Sequence, residues 1–123
     1  MYEYNATVVE ITDGDTVVLD IDLGMRVVVR QRCRILSVNT PELHSQDAGE
    51  RKRAEAAKKF LEELLGNYMR SPSFVGKPLV VTTQRDHVEK YGRYLVQATI
   101  DGKTLAQHII TAGHGVSYDG GRR

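Results

Sequence analysis

The sequence lacks several things, and each lack narrows what the protein can be. It has one cysteine in 123 residues, Cys33, so no disulfide can form within the chain and no cysteine-rich zinc site can be built. No apolar run approaches the length of a membrane span. The opening Met1-Tyr2-Glu3-Tyr4-Asn5 lacks the basic start and apolar stretch of a secretory signal, which points to a cytoplasmic or phage-encoded protein. Neither charge dominates: 17 Lys and Arg against 16 Asp and Glu leave a net charge of +1. Total charge therefore does not mark a nucleic-acid-binding protein, and only its placement could. There is no internal repeat, no low-complexity stretch, no linker and no glycine-rich phosphate loop. What is present, 41% hydrophobic and 27% charged residues, suits one globular domain over residues 1–123 with a single core and, by default, a monomer.

The first third alternates. Val8 to Ile11 and Thr16 to Leu19 flank Asp13-Gly14, a hairpin signal because both residue types tolerate positive φ. Val17, Leu19, Ile21 and Leu23 alternate with Val18, Asp20 and Asp22, which gives one buried and one wet face. After Gly24, residues 25–36 read as a third strand. Val27, Val29, Cys33 and Ile35 share one parity, and Arg26, Arg30, Arg32 and Arg34 share the other. The ordinary reading of those arginines is an exposed strand face paired with Asp20 and Asp22. Cys33 falls on the apolar parity, as a small core residue does.

Thr40-Pro41 breaks the strand pattern. Residues 47–65 then read as a helix, with Asp47 as cap, Glu50 as its capping-box partner and Gly66-Asn67 as the stop. Its apolar stripe is Ala57, Phe60, Leu61, Leu64 and Leu65. Two further strands follow, around Leu79-Val81 and Tyr94-Val96, then a turn at Asp101-Gly102 and a short helix around Leu105-Ile110. Five strands interrupted by a helix suit an α+β fold, a closed five-stranded OB-type barrel with two to three flanking helices.

Three segments concentrate polar residues: Asp13-Gly14-Asp15-Thr16, Arg34 through Glu42, and Glu89-Lys90-Tyr91-Gly92-Arg93. Phosphodiester hydrolysis gathers negative charge on phosphate, and planar arginine forks match its oxygens two at a time. Arg34 and Arg93 are candidate forks. Asp15, Asn39 and the Thr40 carbonyl form an oxygen set suited to Ca²⁺. Glu42 is a candidate base for the attacking water. The same segments also read as plain turn chemistry: a hairpin, a proline corner and a loop end. Spacing alone does not bring them together.

In their order and spacing these motifs resemble the staphylococcal nuclease family over roughly residues 5–120. The resemblance implies an OB-type barrel and calcium-dependent cleavage of DNA and RNA, leaving 3′-phosphate ends. It matches Asp15 to a calcium-binding aspartate and Thr40 to the threonine whose carbonyl binds the ion. Arg34 and Arg93 match the two catalytic arginines, and Glu42 the catalytic glutamate. Lys90 and Tyr91 match residues lining the nucleotide pocket, and Tyr118 lies about a residue from a pocket tyrosine. One departure stands out: the family's type member has aspartate where this chain has Asn39. An amide oxygen still ligates calcium but brings no charge, so weaker binding is expected. The competing reading is a catalytically inactive OB-type nucleic-acid-binding module. Such relatives typically lack the arginines and the glutamate, whereas this chain has Arg34, Glu42 and Arg93 together with Asp15.

Overall fold

In a computed structural model, which describes residues 2–70, 79–85 and 94–118, the alternating segments form the meander that their period of two predicts. Strand β1 (Tyr2–Asp13) pairs antiparallel with β2 (Thr16–Asp22), and β2 pairs with β3 (Val28–Ile35). Strand β5 (Leu79–Arg85) lies beside β1, and β6 (Tyr94–Ile100) lies beside β5. A parallel pairing of β6 with β3, with Cys33 opposite Tyr94 and Ile35 opposite Val96, closes the sheet. The result is a closed, mixed five-stranded barrel in the order β1-β2-β3-β6-β5, the OB-type arrangement expected. Short β4 (Val38–Asn39) pairs with β8 (Val116–Ser117) outside it, and β7 (Lys103–Thr104) pairs antiparallel with the end of β6.

Alternation fills the barrel. Val17, Leu19, Ile21, Cys33, Ile35, Val81 and Val96 are all buried, each contributing roughly 1–3 kcal/mol through removal from water. Helix α1 (Ala48–Arg70) lays Leu61 and Leu65 on this core, with Phe60, Leu64 and Tyr68 packed at its edge. Helix α2 (Leu105–Thr111) adds Leu105, Ala106 and Ile109. Thr104 caps α2 in a reciprocal box with Gln107. The helix ends at Gly113 (φ +82°), where Gly113 N–H donates to the Ile110 carbonyl and His114 N–H to that of Ile109. Two flanking helices are present among the described residues.

Four local expectations need correction. Helix α1 runs past Gly66 to Arg70, because Tyr68 still packs on the core and a mid-helix glycine costs only about 1 kcal/mol. Asp47 does cap it, accepting from Gly49 N–H at 2.9 Å, but Glu50 turns away from the helix and binds the loop before it. Strand β3 begins at Val28, because Met25 and Arg26 adopt positive φ in the turn (53° and 64°), which removes Arg26 from the arginine face. Arg30 pairs with Asp20 at 2.8 Å, as expected of an exposed strand face, while Asp22 instead accepts from Gly24 N–H.

Candidate active site

Two tight turns deliver the first two polar segments to one corner of the barrel. The β1–β2 turn at Gly14-Asp15 is the first. Neither residue has positive φ, so glycine is not needed there for its backbone freedom. It is needed for space: a Cβ at Gly14 would lie 2.7 Å from the Ala57 Cβ and 3.1 Å from Thr40 Oγ1. Helix α1 and the Thr40 corner thus clamp this turn from both sides. The second is the Leu36-Ser37 turn, with Ser37 at φ +73°. It reverses the chain so that Asn39 returns beside Arg34. Backbone bonds fix both turns: Ile35 N–H donates to the Asp15 carbonyl, and Leu36 N–H to that of Val96, each at 2.8 Å.

The side chains then meet. Thr40 N–H donates to Asp15 Oδ2 at 3.1 Å, across 25 residues of sequence. Thr16 Oγ1 donates to Asp15 Oδ1 at 3.1 Å. Arg34 Nη2 lies 3.7 Å from Asp15 Oδ2 and donates to Asn39 Oδ1 at 2.8 Å and to the Val38 carbonyl at 3.3 Å. Tyr118, held by its N–H on the Ser37 carbonyl, sits with its ring 4.8 Å from the Arg34 Cζ, a cation–π contact. All of Arg34's hydrogen bonds to described residues use Nη2, which leaves the Nε and Nη1 donors, which do not share an edge, for the oxygens of an anion. A polar pocket of about 140 Å³ opens here, lined by Asp13, Asp15, Arg34, Asn39, Thr40 and Glu42, among others. Glu42 is exposed at its rim.

Sequence reasoning missed two contributors. Asp13, read only as a hairpin residue, also lines the pocket and accepts from Asp15 N–H at 3.1 Å. Burial first, then the hydrogen bond and charge of Asp15, push its carboxyl up to about 6. Asp15 goes the other way. Burial works against its ionisation, but the hydrogen bonds from Asp13 and Thr40 N–H and the Arg34 charge outweigh it and hold the carboxyl below its ordinary value. The available signal was a second acid two residues from the first. Glu50 is the other: its Oε2 accepts from Glu42 N–H at 3.0 Å and its Oε1 from Ser45 Oγ at 3.1 Å, which fixes the loop carrying Glu42.

Of the residues singled out in the sequence, Asp15, Arg34, Asn39, Thr40, Glu42 and Tyr118 gather at this corner. Lys90, Tyr91 and Arg93 lie outside the described residues. Among the described residues no group of three or more His, Cys, Asp or Glu side chains is arranged to hold a metal. The pocket's oxygens are of another kind: two carboxyls, one amide, backbone carbonyls and a rim glutamate. That all-oxygen set suits a hard cation such as Ca²⁺. The adjacent Asp13 and Asp15 fit it as well, since a bound divalent cation would favour ionisation of both and offset the burial and the Asp15 charge that push the Asp13 carboxyl up. No helix among the described residues is long and apolar enough to cross a membrane. A scan against protein-family models finds no match for the chain, and a search of curated proteins finds none either.

Proposed function

We propose that the protein is a calcium-dependent nuclease that hydrolyses phosphodiester bonds of DNA and RNA and leaves 3′-phosphate ends. One observation carries the reading: Asp15, Arg34, Asn39, Thr40 and Glu42, from separated stretches of sequence, share one small polar pocket. The motif resemblance to the staphylococcal nuclease family points the same way.

Arg34 binds the attacked phosphate through the donors that its contacts to the protein leave open and holds the charge that builds on the phosphate oxygens. Its bonds to Asn39 and Asp15 hold the guanidinium in place before substrate arrives. Arg93 is the second fork. Glu42, steadied by Glu50 through the loop backbone, accepts the proton of the attacking water. The water oxygen bonds to phosphorus as the bond to the 5′-oxygen breaks. Asp13, Asp15, Asn39 and the Thr40 carbonyl would hold Ca²⁺, which when bound neutralises phosphate charge and orients the water. By the motif resemblance Lys90 and Tyr91 would contact the nucleotide, as would Tyr118, whose ring lies against Arg34. Affinity comes mainly from backbone phosphates and weakens with salt.

The test is digestion of heat-denatured DNA with calcium and with chelator. Cleavage in calcium, its loss in chelator and 3′-phosphate ends are the expected results. Cutting that persists in chelator overturns the calcium mechanism. Salt-sensitive DNA binding by folded protein without cutting makes the protein a binding module instead.

A further inference from the structure

The barrel has a second cavity, at the end away from α1. The inward parity of β1, β2, β3, β5 and β6 leads from the buried core out to this end, past Ala6 to Tyr4, past Leu19 to Ile21, and past Val81 to Thr83. There the filling stops. A cavity of about 370 Å³ remains, walled by Tyr2, Tyr4 and Tyr94 and floored by Ile21 and Val29. Tyr2 and Tyr4 stand 6.3 Å apart with rings tilted by 33°. Tyr94, from the start of β6, stays 39% exposed.

Two polar residues interrupt this apolar lining. On the inward parity of β3, Gln31 stands among Val29, Cys33 and Ile35. On that of β5, Thr83 follows Leu79 and Val81. Thr83 is only 9% exposed, and both side chains face the cavity. Neither the Gln31 amide nor the Thr83 hydroxyl has a hydrogen-bond partner among the described residues. Neither is among the fully buried side-chain atoms left without a bond, so water reaches both, and a ligand edge that displaces that water must bond to them in its place. Among the described residues no charged side chain lines the cavity. A ligand matched to this described lining is uncharged where it meets it, flat enough to lie against tyrosine rings, and equipped with both a donor and an acceptor on its edge.

We propose that this mouth is a binding pocket for a single nucleobase, stacked on the tyrosines and read at its edge by Gln31 and Thr83. A base has a π-face for stacking, amide-like donors and acceptors for the glutamine, and no charge. The ligand is either a free nucleoside or a base splayed from a single strand. The pocket does not depend on the hydrolytic chemistry of the Asp15–Arg34 corner.

The experiment is titration of adenosine into ¹⁵N-labelled protein in chelator, which silences calcium-dependent cleavage and keeps this result separate from it. Adenosine at millimolar concentration should move the amides of Tyr4, Gln31 and Thr83 and quench tyrosine fluorescence. In the Gln31→Leu/Thr83→Val double variant, shown to be folded by circular dichroism, Kd should rise about tenfold or more. No shifts, shifts confined to Arg34 and Tyr118, or an unchanged Kd in the double variant would overturn the assignment. A deoxyadenosine octamer separates the two sources. Tighter binding with the same amides shifted means a base delivered by a strand. Binding by adenosine but not by the octamer means a free nucleoside. Either keeps the pocket a base site.

Discussion

The two cavities treat polar groups in opposite ways. At the corner clamped by α1, both Asp15 oxygens accept hydrogen bonds, Arg34 is tied to Asn39, and space is so tight that Gly14 cannot carry a Cβ. At the tyrosine mouth the cavity is more than twice as large and, among the described residues, is lined by no charged side chain and holds two polar side chains with no partner. A site that must stabilise charge is built by fixing its dipoles in advance, so that little reorganisation is needed when a phosphate arrives. A site that takes a neutral ring needs only walls and a few hydrogen-bonding groups. The contrast teaches that mutations at the two ends should separate: those at the corner change chemistry, and those at the mouth change binding and stability.

The largest separation is expected from Arg34→Ala. It removes the proposed phosphate ligand, the ion pair with Asp15 and the bond to Asn39 together. Cleavage rate should fall by about 10²–10³, the usual cost of losing a donor that stabilises transition-state charge. Adenosine shifts at the mouth should be unchanged. Initial rates on denatured DNA and the nucleoside titration measure the two. Full activity in this variant would remove Arg34 from the mechanism.

The next effect is steric. Gly14→Ala places a methyl 2.7 Å from the Ala57 Cβ, on a helix that cannot easily move. Overpacking of this kind costs about 1–3 kcal/mol. A urea melt should show a lower midpoint, with activity falling as the turn that carries Asp15 shifts. Unchanged stability would mean that α1 gives way, and that the corner is not the rigid end of the comparison.

How much of this was legible beforehand follows from the reach of each signal. Alternation is local and strong, so Val17, Leu19, Ile21 and Cys33 marked their inward face directly, and a hairpin, a meander and a barrel followed. The Ala57, Leu61, Leu65 stripe marked α1 for the same reason. The role of Gly14 was not legible, because its reason lies 43 residues away at Ala57. The end of α1 was missed because the packing of Tyr68 outweighed the local signal of Gly66. At the candidate site, Asp15, Arg34, Asn39, Thr40 and Glu42 were read as an oxygen and arginine set, but only the closed barrel brings Thr40 N–H onto Asp15. Asp13 was overlooked because an aspartate before glycine has a sufficient turn explanation. Gln31 and Thr83 were overlooked because one polar residue within an apolar alternation reads as noise until the strands are placed side by side.

A smaller effect tests how far charge governs the corner. Asn39→Asp adds a carboxylate to a pocket already holding Asp13 and Asp15. Ligand charge tunes calcium affinity, so calorimetry should give tighter Ca²⁺ binding, and half-maximal cleavage should need less of the ion. Arg34 remains beside position 39 and will compete for the new charge, which keeps the gain modest. No change in either measurement would count against position 39 as a ligand. The same substitution should leave the tyrosine mouth untouched.

The smallest effect carries the opposite sign. Thr83→Val replaces the hydroxyl of a nearly buried residue, which has no partner among the described residues, with a methyl of similar size. At the corner, removing a polar group leaves its partners unbonded and costs stability. At the mouth there is no such partner to strand, and the desolvation cost of the hydroxyl is removed with it. Stability should therefore be unchanged or rise by up to about 1 kcal/mol, read as a higher urea midpoint with the same m-value. A loss of 1 kcal/mol or more would show that Thr83 is bonded in the free protein, for instance through water. The two ends would then differ in charge but not in how completely their polar groups are satisfied.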